Sequence, residues 1–193
     1  MSELPDAARR GGQSRRGAHS VRVATRYASS FIEVGMTTPA KQLAGFIAKF
    51  DPAIARLARS CRTVLRRRFP TAVELAYDNY NALAIGYAST ERASDCIVSL
   101  AVFPRSVALS FYYGASLPDP TKILSGSGNQ NRYISLDRPD RLKDPAVEAL
   151  IKAAIANGKV SLPTSKGYLV IKSISAKQRP RRPSAVGARS RPR

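Results

Sequence analysis

The sequence predicts an α+β fold: an N-terminal helical hairpin, an antiparallel sheet of five to six strands, and a closing C-terminal helix. Three observations predict it. Two amphipathic stretches between residues 38 and 68 are joined through Asp51-Pro52 alone. Short strand-like runs follow between 72 and 136. Asp144-Pro145 then opens a last apolar stripe at helical spacing.

Thr38 is placed to cap the first helix, with Pro39 in its first turn. Leu43, Phe46, Ile47 and Phe50 recur at i, i+3, i+4, i+7, which makes one apolar face. Asp51-Pro52 repeats the cap-and-proline device for a second helix. There Ile54, Leu57, Cys61, Val64 and Leu65 face inward, and Arg56, Arg59, Arg62, Arg66 and Arg67 occupy the opposite arc. Arg68 falls toward the apolar side in the last turn, where a cation suits the C-terminal carbonyls.

Phe69-Pro70 ends the helix and the period changes to two. Strands are expected at 72–78, 82–88, 95–103, 107–113 and 131–136, with connections too short for anything but antiparallel pairing. The run at 95–103 is apolar on both faces and reads as a central strand covered on both sides. Asp144 is expected to cap a helix carrying Val147, Leu150, Ile151, Ala154 and Ile155 inward, stopped by Asn157-Gly158. Residues 168–173 add an edge strand. The folded domain is therefore expected over 37–175, between a basic N-terminal tail, 1–36, and an Arg/Pro-rich C-terminal tail, 176–193, both read as disordered.

The organising stretch is 111–136. Leu117-Pro118-Asp119-Pro120 offers a helix start, with Asp119 as cap, and a short turn at 121–125 carries Ile123 and Leu124 inward. Gly126 and Gly128 break that turn, Gly128 being read as the position that needs φ > 0.

Composition bounds the function. Apolar residues at 44% suffice for a core, and no run approaches the ~18 uninterrupted apolar residues of a membrane span. The N-terminus lacks the apolar run of a secretory signal. Cys61 and Cys96 form neither a disulfide framework nor a metal motif, which fits a reducing, cytoplasmic setting. The formal charge is +19, of which residues 1–30 hold +4 and residues 172–193 hold +8. Well over half of the excess thus lies near the two ends.

Chemistry is sparse. His19, the only histidine, lies in the N-terminal tail, so no fixed nucleophile–base pair forms around it. Both cysteines read as buried small hydrophobes. These observations favour a protein that binds over one that catalyses, with no cofactor, no catalytic residue and no metal ligand assigned. A candidate ligand cleft gathers Tyr77, Asp78, Tyr80, Tyr113, Gly126, Gly128 and Arg132. The tyrosines would give an apolar wall with polar tips, or else simply pack the sheet. Gly126-Ser127-Gly128 would present amides to an anion beside Arg132, or else form a tight loop. Arg179, Arg181, Arg182, Arg189, Arg191 and Arg193 are candidate nucleic-acid contacts. With no aromatic residue among them, their binding is expected to be weak, sequence-blind and salt-dependent, and a solubilising tail is the alternative. Arg59, Arg62 and Arg66 on the second helix extend the same basic surface.

The segments Leu75-Ala76-Tyr77-Asp78-Asn79-Tyr80-Asn81-Ala82-Leu83, Tyr113-Gly114-Ala115-Ser116-Leu117-Pro118-Asp119-Pro120, Leu124-Ser125-Gly126-Ser127-Gly128 and Arg132-Tyr133-Ile134 resemble the YdhG-like family of small bacterial domains. The resemblance covers about residues 38–160. It implies a helical hairpin, an antiparallel sheet and a closing helix, in a family that carries a domain-of-unknown-function label. Some relatives are described as frataxin-like iron chaperones, which gives the alternative function of an iron donor. This chain has Asn129 where the family commonly has Lys. Its carboxylates are scattered, and its second helix bears arginines instead of an acidic ridge. The expected function is a non-enzymatic module for a small ligand or a protein segment, with basic tails that add weak nucleic-acid affinity and no membrane association.

Overall fold

A computed structural model of the chain describes residues 37–182. Helix α1 (Pro39–Ala48) and helix α2 (Pro52–Arg68) form the expected hairpin. Thr38 Oγ1 accepts from Lys41 N at 3.3 Å, and Asp51 Oδ1 accepts from Ala53 N at 2.9 Å, so both caps form as the sequence implies. Strands β1 (Val73–Asp78), β2 (Leu83–Ala88), β3 (Cys96–Phe103), β4 (Ser106–Phe111) and β5 (Arg132–Leu136) then run antiparallel, each beside the next. Helix α3 (Pro145–Ala156) follows, and β6 (Leu169–Ile174) closes the order β5-β4-β3-β2-β1-β6.

The sixth strand departs from the purely antiparallel expectation: it lies parallel to β1, with Leu75 opposite Val170. Short connections force antiparallel pairing only between successive strands. β6 reaches β1 after a long excursion through α3, so that constraint is lifted.

Alternation along the strands sorts the core. Ala76, Leu83, Ile85, Val98, Leu100, Val102, Val107, Leu109, Phe111 and Ile134 point to one face, beneath Leu43, Ile47, Ala58, Cys61 and Leu65 of the hairpin and Val147, Leu150 and Ile151 of α3. The opposite face carries a smaller cluster of Val73, Leu75, Ala88 and Cys96. β3 is central, but its second face is not covered as expected: Ser99 and Ala101 are half-buried and Phe103 is 38% exposed. All three helices lie on the other side of the sheet. An irregularity in the β2–β3 register sets Cys96 opposite Ala88, on the second face, and turns Ile97 toward the main core.

The 111–136 stretch differs in detail from its reading. No helical turn forms at 121–125; a single 3₁₀ turn forms earlier, at Gly114–Ser116. The Asp119 carboxylate accepts from Ile123 N at 3.1 Å and Leu124 N at 2.8 Å, and Lys122 takes φ 54°, so the chain coils around the carboxylate instead of winding into a helix. Ile123 and Leu124 do pack on the core. The left-handed glycine is Gly126, at φ 109°, and not Gly128, whose surroundings are open. Gly114 is required for another reason: a Cβ there would sit 2.8 Å from the backbone nitrogen of Arg132. At α3 the start is as read, but the Asp144 side chain caps no helix N–H and lies 3.7 Å from Arg138.

These contacts set the cost of substitution. Gly126→Val is expected to lower stability by about 1–3 kcal/mol through backbone strain. Gly128→Val should melt with the parent chain. Equal denaturation midpoints for both variants would contradict the assignment.

Candidate functional site

The sequence-derived cleft residues fall at two ends of the sheet. Cross-strand register aligns Asp78 with Leu83, Val102, Val107 and Leu136, whereas Arg132 aligns with Phe111, Val98, Tyr87 and Glu74. Strand spacing and rise therefore separate Asp78 from Arg132 by on the order of 20 Å. Asp78 and Tyr80 share one neighbourhood, while Tyr77 points to the opposite face of the sheet and packs against the Cys96 cluster. Tyr113, Gly126, Gly128 and Arg132 share the other.

In the second group NH1 of Arg132 donates to the carbonyls of Gly128 and of Asn131, the latter at 2.9 Å, so the loop's own oxygens hold one arm of its guanidinium. Ser125 and Tyr133 exchange backbone hydrogen bonds of 2.8 and 3.0 Å and close the loop. Tyr113 donates to Ser94 O at 3.2 Å. A pocket beside Tyr113, Leu117 and Asn157 holds about 20 Å³, room for about one water.

Around Asp78 the structure builds a charge cluster that spacing does not foretell. Asp78 is fully buried on the helix-facing side of β1. Lys49, just past α1, donates to Oδ2 at 2.6 Å, and Arg181 donates to Oδ1 at 2.9 Å. Arg181 is 5% exposed, and its guanidinium lies 5.3 Å from the Phe50 ring centroid. The folded unit thus runs past 175 to at least Arg182. Ser175 N donates to Asp78 O at 2.9 Å, Gln178 Nε2 to the same oxygen at 3.2 Å, and Arg179 N to Tyr80 O at 2.9 Å. Arg179 also stacks over the Tyr80 ring. Of the candidate nucleic-acid arginines, Arg181 is therefore spent inside the domain and Arg182 is tied to α1, while Arg189, Arg191 and Arg193 lie outside the described residues.

A second buried carboxylate, Glu74, sits four residues earlier on the same face of β1. Arg62 of α2 binds it in bidentate fashion, both bonds 2.7 Å, and the Tyr87 hydroxyl donates to it at 3.1 Å. The hydrogen bonds to Glu74 raise Arg62 above the ordinary guanidinium value, and burial raises the Tyr87 phenol well above the ordinary tyrosine value. Burial also pushes the Cys61 thiol up to about 11 and raises Cys96, so neither is a thiolate near neutral pH.

What remains exposed is the outer face of α2. Arg56, Arg59, Arg66 and Arg67 lie on the arc opposite the buried Ala55, Ala58, Cys61 and Leu65. None of the four has a carboxylate among the described residues within 4.0 Å. Ten residues separate Arg56 from Arg66, about 15 Å along the helix axis. Lys166 and Arg66 line one recess of about 220 Å³, and Arg56, Arg59 and Arg182 line another of about 350 Å³. The arginine arc was legible in the helical period. Its pairing was not, because the carboxylates that claim Arg62 and Arg68 come from β1 and α3.

Among the described residues no three His, Cys, Asp or Glu side chains converge as a metal site, and no helix is long and apolar enough to cross a membrane. No protein-family model matches the chain, and no curated protein or solved structure does.

Asp78→Ala leaves the Arg181 guanidinium buried without a carboxylate and is expected to cost about 3–5 kcal/mol. Arg181→Ala should cost less, because Asp78 keeps Lys49. Chemical denaturation of the two variants measures the order, and the reverse order would mean that Arg181 is not held by Asp78.

Proposed function

We propose that this chain is a non-enzymatic binding module, a YdhG-like domain of the cytoplasm, that takes the phosphate backbone of nucleic acid on the exposed face of α2. The observation that carries the reading is the set of four arginines, Arg56, Arg59, Arg66 and Arg67, on one helical face with no carboxylate among the described residues in ion-pair reach. A helix holds such charges at fixed spacing at no further ordering cost to the backbone. Contacts from the ridge would go to phosphates, which position a duplex and carry no sequence information. The basic residues near the chain ends would add to the same field.

The reading as a small-ligand or protein-segment module has weaker support. Its candidate residues are divided between two sheet ends, and the described recesses sit at or below the low end of the ~300–1,000 Å³ of ligand cavities. The iron-donor alternative has less still: Asp78 and Glu74 are neutralised by Lys49, Arg181 and Arg62, and Glu148 by Arg68.

Binding of a short duplex, followed by fluorescence anisotropy at several salt concentrations, tests the proposal. If the four ridge arginines each neutralise one phosphate, they contribute about −3.6 to the slope of log K against log salt. Replacing Arg59 and Arg66 with Gln should remove about half of that contribution and weaken all duplex sequences alike. A chain ending at Arg182 keeps the Asp78–Arg181 pair and isolates the share of the last residues; ending at Ser175 would disturb the fold as well. Binding indifferent to salt, or untouched by the double substitution, would overturn the proposal.

A further inference from the structure

The ridge ends in a recess whose charge exceeds what an in-chain phosphate needs. Between the end of α1 and the first turns of α2 lies the space of about 350 Å³, lined by Ala48, Phe50, Pro52 and Ala55, with Arg56, Arg59 and Arg182 as its charged side chains. Arg182 is held in place: Nε donates to Phe50 O and NH2 to Ala48 O, both at 3.2 Å. These are carbonyls at the end of α1, which a helix leaves without internal partners. A guanidinium has five N–H donors, so three remain on Arg182 after these bonds. Arg56 and Arg59, three residues apart on α2, are neighbours on the helix surface. The lining contains no carboxylate, and none among the described residues lies within 4.0 Å of these three guanidiniums. The amides at the start of α2 are not the attraction, since Pro52 has no N–H and the Ala53 N–H is taken by Asp51.

We infer that this recess is a site for a phosphoryl dianion, the terminal phosphate monoester of a nucleic-acid strand or of a free nucleotide. The inference rests on the α2 ridge reading and goes beyond it. A phosphodiester within a strand carries one charge and has two free oxygens. A terminal monoester carries close to two charges at neutral pH and three acceptor oxygens, which suits a recess lined by three arginines. The apolar lining suits the sugar or base behind the phosphate. Arg56 and Arg59 belong to both ridge and recess, so a strand end seated in the recess would lead its following phosphates along α2 toward Arg66 and Arg67.

The test uses the full chain and one short duplex prepared with 5′-phosphate or with 5′-hydroxyl ends, compared at matched salt. The phosphorylated duplex is expected to bind about tenfold tighter, in line with one added set of charge-assisted hydrogen bonds. Arg182→Gln and Arg56→Gln, with melting checked, should erase that preference. Arg67→Gln, outside the recess, should weaken both duplexes alike and keep it. A nucleoside monophosphate that displaces the phosphorylated duplex, where the nucleoside does not, would extend the site to free nucleotides. Competition by neither would confine it to strand ends. Equal affinity for the two duplexes, with salt-dependent binding intact, overturns the recess and leaves the ridge standing. Binding of neither duplex overturns both.

Discussion

Two carboxylates buried on the helix-facing side of β1 govern how this domain is assembled. A carboxylate withdrawn from water without a partner costs several kcal/mol, so each must meet a cation as the helices close over the sheet. Glu74 is met by Arg62 from the middle of α2, and Asp78 by Lys49 from the end of α1 and Arg181 from the C-terminal segment. These pairs fix where the hairpin lies over β1. They also determine which cations are left for other work.

The remaining architecture follows from that placement. With all three helices on one face, the main core lies between helices and sheet, and the second face of β3 and β4 carries mostly small side chains, Ser99, Ala101, Ala108 and Ser110, with Phe103 partly exposed at its end. The C-terminal segment is drawn in because Asp78 accepts from Ser175, Gln178 and Arg181 along it and the Phe50 and Ala48 carbonyls hold Arg182. A segment that composition alone marks as a free basic tail becomes, through one aspartate, part of the folded unit.

The same division of cations shapes the candidate function. Arg62, Arg68 and Arg181 face carboxylates, while Arg56, Arg59, Arg66 and Arg67 do not. The exposed set shares one helical face because the apolar period of α2 leaves it no other. A basic surface here is thus a consequence of amphipathic folding, with its charge uncompensated by the rest of the domain. Arg182, fixed on backbone carbonyls, adds to it at one end and Lys166 at the other.

The sequence by itself determined what depends on local chemistry. Thr38 and Asp51 cap helices because a short side-chain oxygen just before the first turn lies within reach of its free amides, a bond that the same pattern at Asp144 does not make. The apolar stripes of α1, α2 and α3 follow from the 3.6 period, and five strands pair antiparallel because their connections are short. Tertiary structure decided whatever joins residues distant in the chain. It set β6 parallel to β1, committed Asp78 to Arg181 across 103 positions, and separated Asp78 and Tyr80 from Tyr113 and Arg132 by the width of the sheet. It also moved the left-handed position from Gly128 to Gly126, because the Asp119 carboxylate and the Ser125–Tyr133 bridge set the path of that loop. Propensity and period act over a few residues, whereas a buried charge takes its partner from whichever segment the fold brings within hydrogen-bonding distance.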